Sequence, residues 1–185
     1  MSERPAATDG AKMMYLIARR AGVTREELVA NWFANHMPAV IQGQKDQALR
    51  GRRFARRYIA TLFDAAADGT WPWDGVAQLW WDKALPRPDV PHGEPPTDTF
   101  QEKAAPYVPW ATREYVVMDG ELPVTPNTLN APFPATRSGF FKVTFLVKAT
   151  AGTDYDAFFA HWLDVHVPNV RNTMEAVGGF RYVVI

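Results

Sequence analysis

The 185-residue sequence contains no cysteine, which excludes disulfides, thiolate nucleophiles and cysteine-containing zinc sites. It has no excess charge of either sign: 20 basic residues balance 20 acidic ones, and nothing in that balance recommends nucleic acid or an anionic membrane as a partner. No stretch approaches the roughly 18 consecutive apolar residues of a membrane span. The N-terminal "MSERPAATDGAK" lacks the apolar centre of a signal peptide. The default expectation is a soluble, cytoplasmic protein. Serines are few and lie near the termini or in a proline-rich stretch, so Ser-His-Asp catalysis has no supporting context. Histidine is scarce too. His36, His92, His161 and His166 are the only side chains that titrate near neutrality unperturbed.

What the chain does have is core-forming material: 47% hydrophobic residues, with 7 Trp and 11 Phe, enough for one large domain or two small ones. The densest basic run, "RGRRFARR" at Arg50–Arg57, reads as the solvated start of a strand rather than a phosphate site.

Periodicity and turn signals predict the element order. "KMMYLIAR" (Lys12–Arg19) has strand length, and "TREE" (Thr24–Glu27) is a capping box that opens a helix. Val29, Trp32, Phe33 and His36 follow helical spacing and put His36 on the apolar face. Pro38 biases Met37 away from helical geometry, which predicts a helix end near His36. Strands are expected at Arg56–Phe63, Trp73–Asp82 and Thr112–Asp119, with a short helix around Asp98–Ala105 after a proline-dense loop containing His92. The order β-α-β-β-α-β predicts an α+β fold of ferredoxin-like type: one antiparallel sheet with helices on one face.

The stretches "NWFANHMPAV" and "AHWLDVHVPNV" place His36 and His166 130 residues apart in matching contexts. Aligned without gaps, Lys12–Val40 and Lys142–Val170 share nine of 29 residues, where chance pairing gives about two. The expected organisation is a complete domain at 11–120, a proline-rich linker at 121–139 and a partial second repeat at 140–185, tandem but incomplete. That repeat contains β-α-β: a strand at Phe140–Lys148, a helix through "TDYDAFFAHWLDVH" and a strand at Gly178–Ile185. Lacking two strands, it would leave unpaired backbone, which invites pairing elsewhere. The sequence reads as a fragment of a longer protein of about two such domains, with pairing to the first sheet or to another chain as alternatives.

These residues resemble the EthD family, a branch of the dimeric α/β-barrel proteins. The likeness rests on "K-x-x-x-L-x-x-R" in the first strand, the Thr-x-x-Glu helix start with "W-x-x-x-H-x-P", then "WDGVAQLWWD" and "F-x-x-x-A-x-x-Y" into "REYVVMDG". It spans Lys12–Gly120, and Lys142–Ile185 resembles the front half of a second copy. Gln78 stands where the family more often has Glu. The resemblance implies a ferredoxin-like unit whose sheet pairs face to face with a second unit, as a homodimer or an intramolecular pseudo-dimer. It also implies a hydrophobic small-molecule substrate and no cofactor. The expected activity is acid–base chemistry (cyclisation, dehydration, decarboxylation or oxidation) on an aromatic or polyketide-like compound. A non-catalytic accessory module of an oxidative degradation pathway and a haem-binding barrel are the alternatives.

His36 is the leading candidate for general acid–base work, since burial and a helix C-terminus push its pKa in opposite directions. His166 is its counterpart in the repeat. The bland reading of each is a histidine that satisfies backbone carbonyls. Trp32 and Trp162 sit one turn earlier, as core residues or as walls that stack on a flat substrate. Tyr58 is a candidate hydrogen-bond donor to a carbonyl or enolate. Trp80 and Trp81 must point to opposite sheet faces, one into the helix–sheet core and the other towards a partner sheet, and Trp80 is a candidate for binding substrate. No metal site is expected, because His161 and His166 lie about 140° apart around a helix.

Overall fold

A computed structural model describes residues 4–64, 72–121 and 141–185. The predicted linker therefore lies outside the described residues, apart from Glu121, as does Phe140. The chain divides into two units, one built on Asp9–Arg113 and the other on residues 4–8, 114–121 and 141–185.

The first unit is α+β. Strand β1 (Ala11–Ile17) is followed by α1 (Arg25–Asn31), a π-helical turn (Trp32–His36) and α2 (Met37–Leu49). Then come β2 (Arg57–Leu62), β3 (Gly75–Trp81), the short α3 (Thr99–Lys103) and β4 (Trp110–Thr112). The strands form one sheet in the order β2-β3-β1-β4, antiparallel at every junction. This arrangement is compatible with the ferredoxin-like fold. Within "RGRRFARR" only Arg57 belongs to a strand.

Alternation along the strands sorts side chains to two faces. Met13 and Ile17 of β1 with Ala77, Leu79 and Trp81 of β3 pack against Leu28, Trp32, Met37 and Phe100 from the helices. This is the helix–sheet core. The opposite face carries Met14, Leu16 and Val76, also buried, with Phe63 and Trp73 beside them.

Two expectations need correction here. Pro38 does not end the helix at His36. The Met37 N–H bonds to the Trp32 carbonyl, five residues back, and α2 continues to Leu49 with Pro38 in its first turn. One wide turn shifts the hydrogen-bond register, so that proline occupies a position where a missing N–H costs little. His36 therefore sits inside a continuous helix, and the helix-terminus argument for its charge does not apply. The predicted fourth strand, Thr112–Asp119, is also cut in two. Trp110–Thr112 pairs with β1, but Gly10 turns the chain with φ of +86°, so β1 starts at Ala11. Beyond Thr112 there is little β1 backbone left to pair with.

The second unit contains β5 (Tyr115–Asp119), α4 (Tyr155–His161), a second π-helical turn (Trp162–His166), α5 (Val167–Ala176) and β6 (Arg181–Val184). Strands β5 and β6 pair antiparallel with a bulge between Val116 and Met118. Ala7 adds one bridge to Tyr115. Leu163, Val167 and Val184 form a small core with Tyr115, Val117, Phe159, Trp162 and Tyr182. The strand expected at Phe140–Lys148 is not formed over its described residues, 141–148. A strand needs a hydrogen-bonding neighbour, and among the described residues none pairs with this stretch. No helix among the described residues is long and apolar enough to cross a membrane.

Candidate active site

Asp98 opens α3. Its Oδ1 accepts from the Gln101 N–H at 2.8 Å, the N-cap bond that an Asp three residues before a Gln announces. Its second oxygen, Oδ2, lies 2.6 Å from Nδ1 of His36. Alongside, Asn35 Nδ2 donates to Thr99 Oγ1 at 3.1 Å. The π turn and the start of α3 are thus joined by two side-chain bonds in adjacent positions. The His36 side chain is 16% exposed and Asp98's 34%, so this ion-pairing geometry sits at the rim of the layer with partial access to solvent.

The remaining neighbours are aromatic. The His36 ring lies 4.4 Å from that of Phe100, which also meets Trp32 at 5.5 Å and Tyr107 at 6.1 Å. Tyr107 contacts His92 at 5.5 Å, and Tyr15 contacts both. The loop carrying His92 is pinned by reciprocal backbone bonds between His92 and Tyr107, at 2.8 and 3.1 Å. Arg20 Nη2 also holds it, donating to the Gly93 carbonyl at 2.9 Å.

Trp32 is fully buried, and its Nε1 donates to the Tyr58 hydroxyl at 3.0 Å. Gly75 makes room for the indole, since a Cβ there would meet its ring at 3.0 Å and the Thr61 carbonyl at 2.5 Å.

Burial keeps the phenols protonated. It pushes Tyr15 and Tyr107 up to about 12, with a Gln101 hydrogen bond partly opposing it at Tyr107. Tyr58 is raised as well, first by burial, with the Trp32 bond opposing it and Tyr107 and Tyr15 adding to it. His92 is lowered by burial and secondly by His36, which favours a neutral ring. The helix–sheet layer thus holds a histidine–carboxylate pair, three protonated phenols and an imidazole shifted towards its neutral form. With Nδ1–H donating to Asp98, Nε2 of His36 is the basic nitrogen, and no described residue bonds it.

Of the residues singled out in the sequence, His36, Tyr58 and Trp32 share this helix–sheet layer. Trp80 does not. It lies on the opposite sheet face, with Lys12 Nζ 4.8 Å and Arg57 Cζ 5.2 Å from its ring centre. His166 and Trp162 belong to the second unit, where their rings meet edge-on at 5.6 Å. His166 is exposed there, with no polar partner among the described residues. Asp98, Tyr15, His92, Phe100 and Tyr107 are additions that sequence reasoning missed. The Asp98 cap was legible in "DTFQ", but its meeting with a residue 62 positions away was not. Among the described residues no cluster of three His, Asp or Glu could hold a metal ion. A surface cavity of about 370 Å³ lined by Gly10, Asp82, Lys83, Thr112 and Arg113 shares no residue with this site. Compared with protein-family models, curated proteins and solved structures, the chain matches none of them.

Proposed function

We propose that the chain is a small-molecule enzyme of EthD type that performs acid–base chemistry on an aromatic or polyketide-like substrate. The single observation that carries this reading is the 2.6 Å contact between His36 Nδ1 and Asp98 Oδ2, set against an aromatic wall. The carboxylate fixes the tautomer and stabilises the imidazolium formed when Nε2 takes a proton from an acidic C–H or O–H of the substrate. As negative charge develops on the neighbouring substrate oxygen, the protonated phenols of Tyr15, Tyr58 or Tyr107 donate to it. His36 then returns the proton elsewhere on the substrate or product. The chemistry asks for no cofactor, because protons are all that the site moves.

Further support for the family reading comes from the strand order β2-β3-β1-β4. The two "W-x-x-x-H-x-P" stretches also form the same π-helical turn, Trp32–His36 and Trp162–His166, as two copies of one unit would. In that reading the face bearing Met14, Leu16, Val76 and Trp80 belongs to the seam of a sheet-to-sheet pair, formed with a second unit in a homodimer or pseudo-dimer. The test is turnover of a panel of aromatic ketones and phenols by wild type and His36→Asn. Loss of about a hundredfold or more in a folded variant is expected. Undiminished turnover overturns the assignment.

A further inference from the structure

We propose that a notch at one end of the four-stranded sheet binds a small molecule through a phosphate or carboxylate group held between Lys83 and Arg113. The notch follows from the register. β1 lies between β3 and β4, and it starts at Ala11, opposite Trp81, with Lys12 opposite Thr112. Gly10 turns the chain away with φ of +86°. A side chain there would put its Cβ 2.2 Å from the Trp81 carbonyl, so the turn needs glycine. Asp82–Ala84 and Arg113 therefore run past the end of β1, on two strands about 10 Å apart. Between them is the surface cavity of about 370 Å³, whose lining includes Gly10, Ala11, Lys83 and Arg113. That volume lies at the low end for small-molecule sites.

The charge of the notch decides the class of ligand. The one carboxylate in its lining, Asp82, is already engaged: its Oδ1 accepts from Arg53 Nε at 2.6 Å and from the Lys83 N–H at 2.9 Å. The same guanidinium engages the next two acceptors of the chain, donating from Nη2 to the Lys83 carbonyl and, at 3.2 Å, to the Ala84 carbonyl. The Thr112 hydroxyl donates to the Lys12 carbonyl at 2.7 Å. What is left over is positive. Among the described residues the side chains of Lys83 and Arg113 have no hydrogen-bond or ion-pair partner. Arg56 Nη2 adds a third cation, 3.2 Å from the place a Gly10 Cβ would take. Two cations on long stems, facing one another across about 10 Å, repel when the notch is empty. One oxyanion between them accepts charge-assisted hydrogen bonds from both. The cavity of about 370 Å³ is the volume of roughly twelve waters, so it also has room for a small organic body.

The probes are inorganic phosphate and, separately, acetate, titrated at constant ionic strength into the full chain labelled with nitrogen-15. Amide signals of Gly10, Ala11, Lys83, Thr112 and Arg113 should move and saturate with at least one of the two, at a Kd of about 5 mM or less. The anion that binds more tightly identifies the group. Lys83→Gln and Arg113→Gln should each raise that Kd at least about fivefold. Lys45→Gln, which alters an exposed lysine of α2, should leave it within about twofold. Shifts that saturate with neither anion, or a Kd that responds equally to all three substitutions, would overturn the proposal.

Discussion

Replacing Asp98 by Asn separates the two jobs of one carboxylate. Oδ1 caps α3 through the Gln101 N–H, and Oδ2 receives His36. Asn is about as good a cap as Asp, so the helix start should survive. What changes is the other end: the amide presents a donor to Nδ1 of His36, which can then bond only as an acceptor. The ring is driven to the Nε2–H tautomer, and the basic lone pair turns away from the substrate side. A hydrogen bond to a charged group nets roughly 1.5–3 kcal/mol. A neutral bond of roughly 0.5–1.5 kcal/mol takes its place and the Asp98 side chain is 34% exposed, so the loss should be about 1 kcal/mol. Urea denaturation reads that number directly. Nitrogen-15 NMR of the neutral imidazole reads the tautomer. Wild type should show Nδ1–H and the variant Nε2–H, with turnover down about a hundredfold. The same tautomer in both proteins, or full activity in the variant, would refute the reasoning.

Tyr58→Phe removes the acceptor for the buried Trp32 Nε1 and should cost about 1–3 kcal/mol in urea; an unchanged midpoint would mean the bond is not made in solution. Gly75→Ala drives a Cβ into the Thr61 carbonyl and the Trp32 ring, an overpacking that should cost about 1–3 kcal/mol or more, and a neutral result would contradict that packing. Neutral His92 should link stability to pH. Its pKa is lowered by burial and by His36, so the unfolded chain binds the extra proton, and the contribution is present above about pH 6.5 and lost as the pH falls through the lower folded value. Wild type should therefore lose more stability than His92→Gln between pH 7 and 5; parallel pH profiles would refute it.

The legible part of the molecule was what local pattern controls. Thr24 and Glu27 form the capping box their spacing announces, and β3 runs from Gly75 to Trp81 within "WDGVAQLWWD". Alternation separated Trp81, in the helix–sheet core, from Trp80 on the other face. The failures were places where a distant partner decides. Pro38 breaks an α-helix by local rules, yet a π turn absorbs it. Residues 141–148 have strand composition without a described neighbour, and Tyr115–Asp119 finds its ladder with Arg181–Val184 rather than with β1. The same applies to the site. His36, Trp32 and Tyr58 could be marked by face, but Asp98 meets His36 only when α3 docks on the π turn, and Tyr15, His92 and Tyr107 meet only when the proline-rich loop folds onto Tyr107.

The most direct test of the acid–base role of His36 needs no knowledge of the product. An aromatic ketone with an acidic C–H is incubated with the protein in deuterium oxide, and loss of its proton signal is followed by NMR. Wild type should catalyse exchange and His36→Asn should fall to the uncatalysed rate. Exchange that proceeds equally in both proteins would contradict the account.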